Sequence, residues 1–340
     1  MKGSELYSRY RSRRIHLLVV ISVALLLTIL ISLSLGAVSI GLKELLRILL
    51  GGGDGMERAI VWEMRMPRVT MAILGGACLA LSGAAIQGIL RNPLASPFTL
   101  GVASASGFGA ALAITLGAGL IGWGRYLIVI NAFTFALLAS AIAYGVARLK
   151  GASSNSMILS GVAVMYLFSS LTSILQYLGM REDVHAVVFW LMGSLNGMRW
   201  WKVGAVLIAF ILSAPILISK SWEMNAMLSG DEVAMSLGVD VKRLKLISTA
   251  LSSLMTATVI SFTGTIGFIG LVAPHIARLL IGAEHSLLFP TSALTGALLL
   301  LGADTISRLL LAPSEIPIGI TTSLIGIPFF LYLLMRRGRR

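Results

Sequence analysis

Ten apolar segments follow one another along this chain: 15–37, 69–90, 98–121, 125–147, 156–180, 203–219, 244–262, 266–282, 289–311 and 317–335. A helix needs ~20 residues to cross the hydrocarbon of a bilayer, and most of these runs are about that long. No water reaches backbone groups there, so each run must satisfy its own N–H and C=O groups by forming a helix. The sequence therefore predicts an all-α, polytopic membrane protein with about ten transmembrane helices. The stretch 244–282 is too long for one span and divides at Phe262-Thr263-Gly264-Thr265. Only 12% of the residues are charged, where a soluble domain carries about 25%.

Charge orients the chain. Arg9, Arg11, Arg13 and Arg14 precede the first run, and Arg336, Arg337, Arg339 and Arg340 follow the last. Cytoplasmic loops collect Lys and Arg, which puts both termini in the cytoplasm and makes the number of spans even. The net charge of +13 then marks orientation and does not call for nucleic acid. The expected layout is one membrane domain at 15–335 between a cytoplasmic tail at 1–14 and a basic tail at 336–340. The location expected is the cell membrane, plasma or inner, as a multi-pass protein. No secretory leader is expected, because the first run is long enough to span and no A-x-A site closes it. The single cysteine, Cys78, excludes an internal disulfide and a cysteine metal cluster. Residues 41–50 suit a short amphipathic interfacial helix stopped by Gly51-Gly52-Gly53, and Trp190, Trp200 and Trp201 suit interfacial anchors.

Between the sixth and seventh runs lies a long polar stretch, SWEMNAMLSGDEVAMSLGVDVKRLK, from Ser221 to Lys245. On the topology above it is cytoplasmic. Ser229 and Glu232 fit a capping box, with Asp231 adding negative charge to the first turn. Val233 and Leu237 share a face at i, i+4. Gly238 suits a left-handed C′ position, and Asp240 is placed to cap the next helix. A DNA-binding helix–turn–helix has a similar pattern, but both flanks run straight into apolar spans. A plain connecting loop is the bland reading. Order of this kind between two spans points instead to a surface where something soluble docks.

Sites for chemistry are few. The dipeptide Gly-Lys is absent, so the chain has no phosphate-binding P-loop of its own. The histidines, His16, His185, His275 and His285, contain no H-x-x-x-H pair, and no metal or cofactor is expected on this chain. Asp304 alone among the carboxylates falls within a span, which disfavours a proton-driven carrier. No nucleophile–base pair emerges, which disfavours an intramembrane enzyme. Two polar clusters interrupt the spans. Gln87 with Arg91-Asn92-Pro93-Leu94-Ala95-Ser96-Pro97 forces a shaped turn. In Gly264 to His275, Pro274 is expected to kink or break the eighth span.

These residues carry a resemblance. The order R-M-P-R (Arg65 to Arg68), G-A-C-L-A-L-S-G-A-A-I-Q (Gly76 to Gln87), R-N-P-L-A-S-P (Arg91 to Pro97) and L-G-V (Leu100 to Val102) is similar to the FecCD family. So are G-D-E-V-A-M-S-L-G-V (Gly230 to Val239), G-T-I-G-F-I-G-L-V-A-P-H-I-A-R (Gly264 to Arg278), A-D-T-I-S-R (Ala303 to Arg308) and E-I-P-I-G-I (Glu315 to Ile320). Together they cover nearly the whole chain. Members are permease subunits of ABC importers for iron–siderophores, haem and vitamin B12.

The resemblance implies ten helices, a second permease copy with the path along the dimer axis, and an external substrate-binding protein. It also implies two cytoplasmic ATPase subunits, which would use the ATP and Mg that this chain does not bind. The ATPase-coupling helices would lie at 221–243, with Gly230, Asp231, Glu232, Val233, Ala234, Leu237, Gly238 and Val239 as the coupling set. Arg65 and Arg308, at the outer ends of their spans, would meet acidic residues on the two lobes of the binding protein. For Arg68, one turn deeper, snorkelling to lipid headgroups is the expectation. Gln87, Ser154 and Asn155 are the candidates for the path and its gate. Here the chain departs from its relatives, with Ser153-Ser154-Asn155-Ser156 where the family often has a basic residue. The rival class is an ion-coupled secondary transporter, which should show carboxylates or broken-helix ion sites at the midplane. The sequence does not distinguish among iron–siderophore, haem and cobalamin as cargo.

Overall fold

The structure, a computed structural model, describes residues 3–36, 38–53, 55–119, 126–312 and 314–337. Every regular element among them is helical. In chain order these are α1 (Gly3–Ser34), α2 (Leu42–Leu49), α3 (Gly55–Leu90), α4 (Val102–Leu116), α5 (Leu127–Leu149), α6 (Ser154–Leu178) and α7 (Arg181–Met192). Then come α8 (Trp200–Ser219), α9 (Ser221–Met227), α10 (Asp231–Ser236), α11 (Val241–Thr263), α12 (Ile269–Ile281), α13 (His285–Leu310) and α14 (Ile318–Arg337).

Each of the ten apolar runs lies on a helix, but the helices are unequal. Seven among the described residues are long and apolar enough to cross a membrane: α1 from His16, α3, α5, α6, α8, α11 and α13. Three shorter apolar helices, α4, α12 and α14, account for the other runs. The shortness has local causes. Left-handed Gly117 ends α4, while α12 has only 13 residues between an irregular stretch at 264–268 and Gly282 at φ 92°. At 1.5 Å per residue such a helix rises about 20 Å, less than the ~30 Å hydrocarbon.

Other boundaries also differ from the sequence expectation. The tail expected at 1–14 is, from Gly3, part of α1. Residues 338–340 of the basic tail, Met1 and Lys2, and the boundary near 121–125 lie outside the described residues. α3 starts at Gly55 rather than at 69, passing through a π-helical turn at Ile60–Arg65. Its charged first turns hide it from a hydropathy scan, although the backbone is continuous. α7 fills the stretch that suggested only aromatic anchors. The helix expected at 41–50 forms as α2, with Leu45 and Ile48 buried.

The core is organised on α3. Every residue from Gly75 to Leu90 is buried, as befits a helix apolar on all sides. α8, α11, α12 and α13 pack around it, and small residues let them approach closely. Pro274 does not break the chain: α12 runs through it, and the break lies upstream at 264–268. Proline removes the donor for the carbonyl of Gly270. That carbonyl lies where a Cβ on Gly83 of α3 would sit, so the glycine makes room for it.

Candidate functional site

At one end of the bundle α9 and α10 stand out from the helix ends. α9 is fixed to the start of α13 by Asn225, whose Oδ1 accepts from both the main-chain N–H and Nδ1 of His285, at 2.8 Å each. α10 begins after Gly230 at φ 121° without any side-chain cap. The capping box expected from Ser229 and Glu232 is therefore absent. Asp231 instead turns its carboxylate toward the bundle, 2.6 Å from Lys245 and 3.3 Å from Arg91. Gly238, at φ 87°, closes α10 as expected, with the Val239 N–H bonding back to the Ala234 carbonyl. Asp240 caps α11 by accepting from the Arg243 N–H at 3.0 Å. Ala234 is fully buried, while Val233, Met235 and Leu237 are 44%, 54% and 55% exposed. An anchored polar helix thus presents apolar side chains outward.

The opposite end holds an ion cluster. Asp304, fully buried, accepts from Arg68 Nη2 at 2.9 Å and lies 3.2 Å from Arg308 Nε. A second Arg68 nitrogen donates to Glu315 at 2.8 Å. Arg68 is therefore paired with two carboxylates within the chain and does not snorkel to headgroups. Its partners come from α13 and the segment before α14, invisible to a local reading. Arg65 is also buried and donates to the carbonyls of Leu33, Ser34 and Val38, closing the end of α1. Arg308 reaches the Ser32 hydroxyl at 2.6 Å and the Leu35 carbonyl at 3.3 Å. Both arginines shape this rim from within, and neither extends a guanidinium away from the bundle.

Between the two ends lies a cavity of about 690 Å³. α6 lines it with Ser169, Thr172, Ser173 and Gln176, α4 with Ser104, and α14 with Ser323. Thr265 and Gly267 of the break between α11 and α12 also face it, beside apolar Phe98, Leu191, Met192, Ile320, Leu324 and Ile327, and no charged side chain lines it. The Ser169 hydroxyl donates to Ser104 at 3.3 Å, tying α6 to α4. The expected path residues lie elsewhere. Gln87 is buried between α3 and α12, donating to the Leu271 carbonyl and accepting from Arg278, both at 3.3 Å. Ser154 and Asn155 open α6, whose N-cap is Ser153, but do not line the cavity. The lining was signalled in the sequence by polar residues at 169, 172, 173 and 176, an i, i+3, i+4, i+7 stripe on one face of α6. Among the described residues no group of three or more His, Cys, Asp or Glu side chains could hold a metal ion.

Comparison with known proteins accounts for this arrangement. The pattern of the FecCD transport family matches residues 24–336. The chain is 43% identical to the cobalamin import system permease protein of Halobacterium salinarum, over 83% of this chain and 75% of that one. It is 37% identical to the hemin transport system permease protein of Yersinia pestis, over 92% and 94% of the two chains. Its fold superposes with a TM-score of 0.84, at 36% identity, on a structure described as an inward-facing conformation of a metal-chelate type ABC transporter, covering 94% of this chain and 99% of that one.

Proposed function

Because the chain belongs to the FecCD transport family, we propose that it is the membrane-spanning subunit of an ATP-driven importer that brings a metal chelate into the cytoplasm. The observation that carries this reading is α10: a helix held to the bundle by Asp231 and Ala234, yet exposing Val233, Met235 and Leu237. A connecting loop has no reason to display apolar side chains on a fixed frame, whereas a docking surface does. The partner at this end is a cytoplasmic ATPase, which supplies the hydrolysis that this subunit lacks.

The remaining parts follow from that assignment. With α9 and α10 in the cytoplasm, the ion cluster lies at the outer face. A substrate-binding protein docks on the rim that Arg65 and Arg308 hold in shape. A second copy of the chain closes the cavity into a path lined by apolar and uncharged polar side chains. Such a wall suits a cargo whose metal is already wrapped by its own ligands, and it offers no charge on which that cargo would be trapped. Iron–siderophore, haem and cobalamin all fit this class. An ion-coupled carrier is disfavoured because Asp304, the only fully buried carboxylate among the described residues, is bonded to Arg68 and Arg308.

The test is association. Val233→Asp with Leu237→Asp should abolish co-purification of the ATPase while the permease stays folded, since both side chains face outward. Retained co-purification would remove the support that α10 gives to this reading.

A further inference from the structure

Lys245, in the second turn of α11, is among the largest fully buried side chains of the described residues, at 1% exposure. A buried ammonium must have its donors met. Lys245 meets them on two separate elements: Asp231 of α10 at 2.6 Å, and the main-chain carbonyl of Ala152 at 3.0 Å. Ala152 directly precedes Ser153, the N-cap of α6. The other oxygen of Asp231 faces Arg91, which caps the end of α3. One carboxylate therefore joins α10 to the ends of α3 and α11 and, through Lys245, to the loop that enters α6.

The backbone marks the same places. Among the described residues only Arg91, Ala152 and Phe268 are non-glycine residues with positive φ, and two of these three are partners in this network, at φ 50° and 53°. Such conformations persist where surrounding contacts over-determine them. α6 in turn carries Ser169, Thr172, Ser173 and Gln176 into the cavity. Apolar contacts can slide past one another. A buried ammonium held by these two acceptors cannot leave Asp231 without stranding its charge, or Ala152 without leaving a buried donor unmet.

From this we infer that Lys245 is a positioning residue that couples α10 to the cavity wall: displacement of α10 moves Asp231, Lys245 follows, and Ala152 with the start of α6 follows Lys245. The inference rests on the reading of α10 as the ATPase-docking helix, and it names the route by which docking reaches the path.

The experiment uses the complete transporter in proteoliposomes, measuring substrate moved per ATP hydrolysed. Lys245→Met should still assemble and hydrolyse ATP but move about tenfold less substrate per ATP. Asp231→Asn should lower the ratio similarly, and the double variant should be no worse than the poorer single one, as for two members of one link. Lys245→Arg, which keeps the charge and donors, should recover part of the loss. An unchanged ratio in Lys245→Met, or losses that multiply in the double variant, would overturn the inference. If Lys245→Met fails to assemble, Asp231→Asn decides alone, because its side chain is 26% exposed and an unchanged ratio there has the same consequence.

A second measurement needs no transport. With spin labels on Ser236→Cys and Asn155→Cys, both exposed positions, Lys245→Met in the isolated permease should broaden the distance distribution. Buried Cys78 does not compete for label. An unchanged distribution contradicts the link. If wild-type transporter shows no ATP-dependent uptake, the importer reading falls, and this distance still decides whether Lys245 holds α10 to α6.

Discussion

Gly76 and Gly296 meet main chain to main chain where α3 crosses α13: a Cβ built on either would fall against the carbonyl oxygen of the other. Neither backbone can retreat, because α3 is covered on all sides at this level. Gly296→Ala should therefore destabilise the bundle by about 1–3 kcal/mol, the usual range for overpacking. Gly302→Ala, six residues along the same helix, meets nothing within 4 Å and should be silent. Thermal unfolding in detergent, followed by a thiol-reactive dye that reports exposure of Cys78, compares the two. Equal midpoints for both variants would show that this crossing is not tight.

The same assay tests the ion cluster around Asp304. Asp304→Asn removes the negative charge shared by Arg68 and Arg308, whose side chains are only 12% and 9% exposed. Breaking a buried pair from one side costs about 3–5 kcal/mol. Glu315 is 36% exposed, so Glu315→Gln should cost no more than about 1 kcal/mol. A larger loss from Glu315→Gln than from Asp304→Asn would reverse this ranking.

How legible the protein was in its sequence depends on the range of each interaction. Gly238 and Asp240 were readable because a left-handed C′ residue and an N-cap are properties of a single turn. The irregular stretch after Thr263 was readable because Gly264 and Gly267 stand where one apolar run is too long. The partners of Arg68 were not readable: Asp304 lies 236 residues away and Glu315 lies 247 away. Lys245 looked like one more basic residue at a helix start, since its burial depends on the loop at 150–153. Arg65 and Arg308 matched their motif positions, but a motif does not say which way a guanidinium points. That α12 continues through Pro274 was not readable, because the carbonyl it leaves without a donor is accommodated by Gly83 on another helix. The cavity stripe on α6 was written in the sequence, yet serine and threonine at helical spacing are common enough in membrane helices to pass unnoticed.

Gly238 offers a test that tells coupling from folding. A Cβ there would meet nothing within 4 Å, so a substitution acts only through its φ of 87°. A β-branched residue held in that region costs about 1–3 kcal/mol, localised to the turn between α10 and α11. Gly238→Val should leave the unfolding midpoint of the bundle in place and uncouple ATP hydrolysis from uptake. Normal uptake by this variant would mean that the shape of the turn is unimportant.

Ser154 opens α6 at the end of the bundle that carries α10. If two copies pair with their cavities facing, cysteines at position 154 should cross-link between subunits in at least one nucleotide state. Absence of cross-linking in all states would remove Ser154 and Asn155 from the gate.

On the proposed function, this subunit moves a wrapped metal only when driven by an ATPase and supplied by a binding protein. Purified permease should be placed in liposomes alone, with the ATPase, and with both partners, and offered a ferric siderophore, haem or cobalamin. At least one of these cargoes should accumulate with ATP when all components are present, and none should when any component is missing. Accumulation by the permease alone, driven by a proton or sodium gradient, would contradict it.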